Sequence, residues 1–442
     1  MRQLRTWLYC SFALAPLLLL PTSASAQPSL VGNELRANVV EAHDSKKPVV
    51  AVAPGGFVVA WENDELGVFA RRFSPTGATL DGEIAVAPNA RLASIPGAGP
   101  VTYNREPALV IQADGSFLVF WAEERAYLVS YPFLEHRQIT SRRILGQRFT
   151  PSGVAVGSPI RVSETSPAWA GTPAAALQGR TGIVVAWNAE LDGDNPASAA
   201  ATGIYARRLN LSGAPVSASV RVQAGDVATV KRPAVAMSGQ GKFLVSWEGC
   251  CDDGDGNGVF ARLYDAAGSA LSAAVQVNST TAGSQRRPAV AASGSSFLVA
   301  WQGRAGSPQD AHIFARKVNS NGVPSGAEIQ VSTGERGGNA QIAPALATTP
   351  DGGFLAAWVD FNANFPLGVF VRALDGRGNP VSEEVKVNAG QAGYQFQCSL
   401  AADRLGHYVA AYEAFAASEL GASARRLSMA GAASTSQDLA SR

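Results

Sequence analysis

The sequence repeats itself seven times, and this repetition constrains the fold more than any other feature. One unit contains the segments 233–236 (PAVA), 243–247 (FLVSW), 259–262 (VFAR) and 275–277 (VQV), separated by turns and one variable stretch. The aromatic residue that ends the second segment recurs every 54 to 66 residues, as Trp61, Trp121, Trp187, Trp247, Trp301, Trp358 and Tyr412. Units start near residues 48, 107, 173, 233, 288, 344 and 398. Seven recurrences predict seven copies of one structural unit.

Each unit has the chemistry of β-strands. It contains four short runs rich in β-branched and aromatic residues, bounded by Gly, Asn and Ser, which we name strands A to D. Strand C is followed by a polar residue and, three positions later, a glycine, as in Asp265 and Gly268, a spacing typical of a type I turn. Strand B, such as residues 56–61 (GFVVAW), is almost continuously apolar, so both sheet faces are covered. This predicts an all-β fold, a seven-bladed β-propeller of four-stranded antiparallel blades.

The two ends of the repeat array distinguish a closed ring from a linear solenoid. The seventh unit has no apolar D strand after Leu427, whereas residues 34–38 (ELRAN) match the D strand at 328–332 (EIQVS) and precede the first unit. We therefore expect this N-terminal strand to complete the last blade and close the ring. Closure would leave no exposed sheet edge, which a solenoid does not achieve. The predicted propeller domain spans residues 27–442.

The first 26 residues have the pattern of an export signal. Arg2 and Arg5 precede the apolar run 7–20, and residues 24–26 (ASA) are small, as signal peptidases require. The rest of the chain has no apolar run of the length of a membrane span. We expect a soluble, secreted or periplasmic monomer. The formal net charge is +1 and falls to about −1 without the two signal arginines, which argues against a nucleic-acid partner.

The repeat resembles that of a known group of proteins. The pattern PxVA, GxFVVxW, FAR and turn glycine is similar to that of exported bacterial β-propeller-like repeat proteins with no assigned activity, and it covers residues 34 to about 431. The resemblance implies the propeller fold and no particular chemistry. Sequence signatures of WD, kelch and sialidase propellers are not found in the chain.

Departures from the repeat indicate where function lies. The A–B and C–D connections are short, whereas the B–C and D–A connections vary, and these all lie on one face of a propeller. Basic residues directly precede strand A at the channel mouth, inside an acidic periphery of loop carboxylates. These include Lys47, Arg232 and Arg287. They predict either solvated loops with weak ion pairs or a rim that selects anionic ligands such as uronates.

The second unit has an insertion that carries aromatic and basic residues. Tyr127, Tyr131, His136 and Arg137 have no counterparts in the other units. Aromatic and arginine side chains together are typical of surfaces that contact sugars or proteins. The same insertion is equally compatible with a lid packed on its own blade.

The fourth unit contains half of a calcium-binding loop. Asp253, Asp255 and Asn257 would supply side-chain oxygens and Val259 a carbonyl oxygen, but the acidic residues of the second half are missing. An ordinary acidic glycine-rich turn is the alternative. Calcium is the single cofactor that the sequence suggests.

Two adjacent cysteines precede this loop. Cys250 and Cys251 form a possible vicinal disulfide, which the usual distance between bridged α-carbons disfavours. Pairing with another chain and unpaired thiols are the alternatives. Cys398 begins the last strand A and is expected to be a lone buried thiol.

These features predict a non-catalytic binding or scaffold protein that recognises a glycan, protein or cell-surface partner through its loop-rich face. The alternative is a polysaccharide-directed hydrolase or lyase with carboxylates at the channel mouth, and a third possibility is a structural module of the cell envelope. Two carboxyl groups about 5–10 Å apart in a channel-mouth cleft, one with a raised pKa, would favour the enzyme.

Overall fold

The chain forms seven antiparallel β-sheets arranged in a ring, which confirms the predicted seven-bladed propeller. A computed structural model describes residues 27–39, 44–91, 100–131, 134–164, 168–178, 182–191, 200–224, 230–250, 254–304, 311–333, 340–361, 366–389, 397–416 and 419–429. The predicted export signal lies outside these residues and stays a prediction. No helix in the described segments has the length and apolar character needed to cross a membrane.

The strands are numbered in chain order from β1 (Pro28–Arg36). Blade 1 contains β2 (Ser45–Ala53), β3 (Gly56–Asn63), β4 (Gly67–Phe73) and β5 (Ile84–Pro88). Blade 2 contains β6 (Ala90–Arg91), β7 (Pro100–Ile111), β8 (Phe117–Tyr131), β9 (Leu134–Phe149) and β10 (Ala155–Arg161). Blade 3 contains β11 (Trp169–Gln178), β12 (Gly182–Glu190), β13 (Gly203–Leu209) and β14 (Val220–Ala224). Blade 4 contains β15 (Val230–Met237), β16 (Phe243–Cys250), β17 (Asn257–Tyr264) and β18 (Val275–Gln276).

Blade 5 contains β19 (Arg286–Ser293), β20 (Ser296–Arg304), β21 (Ala311–Val318) and β22 (Pro324–Gln330). Blade 6 contains β23 (Ala340–Thr348), β24 (Phe354–Phe361), β25 (Pro366–Leu374) and β26 (Val385–Lys386). Blade 7 contains β27 (Cys398–Ala402), β28 (Tyr408–Ala416), β29 (Glu419–Met429) and, from the other end of the chain, β1.

The N-terminal strand closes the ring, as the sequence predicts. β1 pairs antiparallel with β29, with Leu35 opposite Ala424 and Arg36 opposite Ser423. Pairing begins at Pro28, earlier than the predicted start at residue 34, because β29 continues to Met429 and offers β1 a longer partner. The first strand A, β2, in turn contacts β27, so neighbouring blades touch around the whole circle.

The insertion of blade 2 extends two strands of the blade as a long β-hairpin. β8 and β9 continue their pairing out to Tyr131 and Leu134. Opposite charges stabilise this extension, since a carboxylate oxygen of Glu123 lies 2.9 Å from Nε of Arg125 and 2.5 Å from a guanidinium nitrogen of Arg143. The short strand β6 also pairs with β7 and gives this blade a fifth strand.

The core consists of seven apolar clusters, each lying between two neighbouring blades. The repeated aromatic residue of strand B is buried in every blade. In blade 4 the ring of Trp247 stacks on that of Phe260, with centroids 6.2 Å apart. Because each cluster needs side chains from two blades, the blades stabilise one another and the ring folds as a unit.

An arginine in strand C ties neighbouring blades together. In blade 5, Arg316 donates from Nε to the carbonyl of Gly326, 2.9 Å away, and from Nη1 to the carbonyl of Val277 in blade 4, also 2.9 Å away. In four other blades the equivalent arginine likewise donates from Nε to a carbonyl ten residues further along the chain and from Nη1 to a carbonyl of the preceding blade. These arginines are Arg71, Arg207, Arg262 and Arg372. This column is therefore structural.

We expect Arg316→Met to lower the free energy of unfolding by about 2 kcal/mol, because two charge-assisted hydrogen bonds are lost while the aliphatic packing is kept. Urea denaturation followed by tryptophan fluorescence measures this change. Arg377→Met is the control, because Arg377 lies in an exposed turn. Equal stability of the two variants would contradict the role assigned to Arg316.

The C–D turns have the predicted geometry in the six blades whose turns are described. The amide of Gly268 donates to the carbonyl of Asp265 over 3.1 Å, and Gly268 has a φ of +92°. The corresponding glycines of the other five blades make the same hydrogen bond with positive φ. The seventh predicted turn, at 428–431, extends outside the described residues.

Candidate functional site

In six of the seven blades, the strand next to the ring axis is interrupted just before its proline. The pairing register shifts there, as between Lys46 and Val49 in β2, which marks a β-bulge. In six blades the residue before the proline has a φ between 45° and 57°, unusual for any residue but glycine; these are Lys47, Glu106, Thr172, Arg232, Arg287 and Ala343. Strained backbone of this kind concentrates at functional sites. We refer to these six residues, with Gln397 of blade 7, as the axial residues.

Buried glutamates hold several bulges in place. The amide of Lys47 donates to Glu413 over 2.7 Å, and that of Glu106 donates to Glu62 over 2.9 Å. The amide of Arg287 donates to Glu248 over 3.2 Å. Each glutamate follows the core aromatic residue of the preceding blade, and we name Glu62, Glu248 and Glu413 the latch glutamates. They are 3 % exposed, so these loop carboxylates belong to the blade interfaces rather than to a solvated acidic periphery.

We expect Glu248→Gln to lower the free energy of unfolding by about 2 kcal/mol. One oxygen of Glu248 accepts hydrogen bonds from the Arg287 amide and from Nη1 of Arg232, and the other accepts one from Nδ2 of Asn257. Glutamine fits, since Gln302 occupies this position in blade 5, but it loses the charge and one acceptor. Chemical denaturation measures the loss. Glu383→Gln, at an exposed residue, is the control, and an equal effect there would refute the structural role assigned to Glu248.

The axial residues surround a pocket of about 430 Å³ on the ring axis. All seven blades contribute their axial residue, and Asn188, Glu190 and Lys231 complete the polar lining. Its volume lies in the range of about 300–1,000 Å³ that is usual for small-ligand sites. The pocket lies where the A strands begin and the B strands end, which is the end predicted to carry the long loops.

Lys47 and Glu106 form an ion pair inside this pocket. Nζ of Lys47 lies 3.2 Å from Oε2 of Glu62 and 3.3 Å from Oε1 of Glu106. Burial acts to lower the pKa of Lys47, but the two carboxylate charges outweigh it and raise that pKa. Burial acts to raise the pKa of Glu106, but the Lys47 charge and the Thr172 amide, 2.8 Å from Oε2, lower it overall. Glu106 is therefore ionised at neutral pH.

Arg232 and Arg287 form the basic side of the pocket. Arg232 pairs with Glu248 across 2.9 Å. The guanidinium of Arg287 has no carboxylate within 4 Å among the described residues. Its pKa is lowered, mainly by burial and next by the positive charge of Arg232. The pocket thus contains a cation whose surroundings disfavour its charge.

Glu190 and Cys398 also line the pocket. Oε1 of Glu190 accepts a hydrogen bond from Nδ2 of Asn188 over 2.7 Å, and Oε2 lies 3.2 Å from Nη1 of Arg142. Burial and the charge of Glu413 raise the pKa of the Cys398 thiol to about 12, and Sγ donates to the carbonyl of Ala343 over 3.2 Å. Cys398 is thus neutral at physiological pH and unsuited to act as a nucleophile.

The residues predicted to bind a partner fall into two groups. Lys47, Arg232 and Arg287, which are far apart in sequence, line the same pocket. Tyr127 is exposed on the extended hairpin of blade 2. Tyr131, His136 and Arg137 belong to the same hairpin through their backbone pairing in β8 and β9. Their side chains lie outside the described part of the chain. A binding role for all seven stays a prediction.

The predicted calcium ligands are only partly described. Asp253 lies outside the described residues. Asp255 accepts a hydrogen bond from the Gly283 amide over 3.0 Å, and Nδ2 of Asn257 donates to Glu248 over 2.6 Å. The Val259 carbonyl accepts the Val277 amide over 2.7 Å. Within the described segments no group of three His, Cys, Asp or Glu side chains suits a metal ion. Calcium binding stays a prediction.

The described residues include two cysteines, Cys250 and Cys398. Cys250 is disulfide-bonded, and its partner lies outside the described residues. Cys398 is not disulfide-bonded. The pairing of Cys250 with Cys251 therefore stays a prediction.

Sequence reasoning missed the two carboxylates of the pocket, Glu106 and Glu190. A signal for Glu106 was present, because it directly precedes the conserved position of Pro107 in the repeat, as Lys47 precedes Pro48. Comparing this single position across the seven units would have identified all the axial residues. Glu190 is one of many acidic residues of the B–C connections, and nothing in the sequence distinguishes it from the others, since its place at the pocket depends on how far β12 continues.

Comparisons with known proteins show the fold. No protein-family model and no curated protein matches the sequence. A crystal structure of a protein of unknown function from Dyadobacter fermentans is 12 % identical and covers 78 % of this chain and 98 % of that one, with a TM-score of 0.51. A GH93 α-L-arabinofuranosidase of Fusarium graminearum is 12 % identical over 73 % of this chain and 92 % of that one, with a TM-score of 0.43. A GH43 endo-arabinanase from Bacillus licheniformis is 13 % identical over 64 % of this chain and 100 % of that one, with a TM-score of 0.34.

These comparisons correct the sequence-based prediction of a non-catalytic binding or scaffold protein. The finding that overturns it is that the similar propeller structures include glycoside hydrolases. The prediction relied on the scarcity of catalytic motifs, but a pocket lined by single residues from seven blades leaves no contiguous motif in the sequence. The activity of this chain is argued below from its own pocket.

Proposed function

We propose that this protein is a glycoside hydrolase that cleaves a polysaccharide at its axial pocket. The observation that carries the proposal is the position of Glu106, an ionised carboxylate in a pocket formed by all seven blades. Nζ of Lys47 contacts both Glu106 and Glu62, and this contact holds the Glu106 carboxylate at the pocket wall.

The surroundings of each carboxylate suggest its role. Glu106 is ionised and suits a nucleophile or general base, whereas Glu62 is buried beneath Lys47 and serves as a latch. Glu190, at the pocket wall, is the candidate proton donor. In the net reaction, water adds its hydroxyl to the anomeric carbon, the glycosidic bond breaks, and the leaving oxygen takes up a proton. The pKa of Glu106 is lowered, so the proton donor has to be a different group.

Incubation of the purified protein with a panel of polysaccharides, including arabinan, xylan, galactan and polygalacturonate, tests the proposal. We expect new reducing ends from at least one member, without the unsaturated product that a lyase forms. Proton NMR of the first product gives the anomeric configuration and so distinguishes a nucleophilic from a general-base role of Glu106. An unsaturated product, or no cleavage across the panel, would overturn the assignment as a hydrolase.

A further inference from the structure

The cations of the axial pocket are not equally compensated. Lys47 contacts Glu62 and Glu106, and Arg232 contacts Glu248. Arg287 and Lys231 line the same pocket, and neither has a carboxylate of the described residues within 4 Å of its side-chain nitrogens. The pocket therefore has positive charge available to a ligand.

The backbone holds two of these cations side by side. Arg232 and Arg287 occupy the same bulge position in adjacent blades, with φ of 49° and 53°. The same oxygen of Glu248 accepts from the Arg232 guanidinium at 2.9 Å and from the Arg287 amide at 3.2 Å. Glu248 thus neutralises Arg232 and fixes the backbone of Arg287, while it leaves the guanidinium of Arg287 to face the pocket.

The chemistry of this arrangement favours a planar anion. A guanidinium presents parallel N–H groups that match the two oxygens of a carboxylate, and an anion also relieves the repulsion between neighbouring cations. Burial and Arg232 lower the pKa of Arg287, so a bound negative charge would stabilise the protonated form. A neutral sugar offers none of this compensation.

We propose that Arg287, assisted by Arg232 and Lys231, binds the carboxylate of a uronate residue, so that the substrate is an acidic glycan. The inference rests on the proposed function for its assignment to glycans. It adds the class of sugar that the pocket selects and the residue that selects it. The opposite wall, with Glu106, then faces the bond to be cleaved.

Substitution at Arg287 tests this selection without disturbing the fold. Ala343 and Thr172 adopt the same backbone conformation at the equivalent position, so Arg287→Ala should fold normally. Arg286→Ala is the matched control, because Arg286 is exposed and does not line the pocket. The probes for calorimetry are trigalacturonate, its methyl ester and a sulfated trisaccharide, with melting temperatures as the check on folding.

We expect wild-type protein to bind trigalacturonate at least tenfold more tightly than its methyl ester, and Arg287→Ala to abolish that preference. Arg286→Ala should retain it. Equal affinity for acid and ester, an equal effect of Arg286→Ala, or tighter binding of the sulfated sugar would overturn the carboxylate subsite. Cleavage of neutral glycans without this preference would refute the carboxylate subsite and support the hydrolase assignment. Uronate binding without cleavage of any glycan would support the carboxylate subsite and refute the hydrolase assignment.

Discussion

Deletion of residues 27–38 is expected to prevent stable closure of the ring and to lower the free energy of unfolding by on the order of 5 kcal/mol. The deletion removes the six residue pairs between β1 and β29. It also removes Ala37, whose carbonyl accepts from Arg71, and Asn38, whose Oδ1 accepts from the Ala422 amide over 2.9 Å. A loss of this size is comparable with the whole stability of many domains, so the truncated chain should populate unfolded or aggregated states.

Thermal and urea denaturation of the chain beginning at residue 39, compared with the chain beginning at residue 27, measure this effect. Two point variants keep the test informative if the truncated chain does not fold. Leu35→Ala should destabilise the protein because Leu35 packs between blades 7 and 1, whereas Leu30→Ala should have little effect because Leu30 is exposed. Wild-type stability of the truncated chain would show that β1 does not close the ring.

Glu106→Gln is expected to lower kcat/KM for the polysaccharide substrate by about a thousandfold. The amide retains an oxygen that can accept the Thr172 amide, so the bulge is preserved, but it can act neither as a nucleophile nor as a base. The melting temperature should change little compared with this loss of activity. Glu65→Gln, at an exposed turn of blade 1, is the control and should retain full activity.

The pH dependence of kcat/KM tests the role of Glu106 independently. The pKa of Glu106 lies below its ordinary value of 4.5, because Lys47 and the Thr172 amide favour the ionised form. A reaction that requires ionised Glu106 therefore keeps its activity as the pH falls to about 4.5 and loses it only as the pH passes through the lower, folded-state pKa. An acidic limb well above pH 4.5 would assign the essential ionisation to another group.

The fold was predictable because the same strand and turn pattern occurs seven times in the sequence. The core aromatic residue and the turn glycine depend on local pattern, and in the described part of the chain each has the predicted place. The length of the blade 2 hairpin was not predictable, because its insertion is held together by charge pairs such as Glu123 with Arg143, which are not adjacent in sequence. Whether an insertion forms strands depends on such partners.

The candidate site was only partly predictable for a similar reason. Lys47, Arg232 and Arg287 were identified because basic residues before the strand A prolines are conspicuous. The latch glutamates resemble ordinary acidic loop residues in the sequence. Their burial follows from the amides that the bulges of the next blade turn toward them, and no pattern within one unit shows that geometry.

Ring closure also has a kinetic consequence. The hydroxyls of Ser29 and Ser428 lie 2.8 Å apart although 399 positions separate them in the chain. Pairing of β1 therefore closes the longest loop in the molecule and has to wait until nearly all other blades are formed. Until then, both β1 and the edge of β29 are unpaired and open to association with other chains. The slowest folding step should thus be the last one, and the same late contact should make the completed ring slow to reopen.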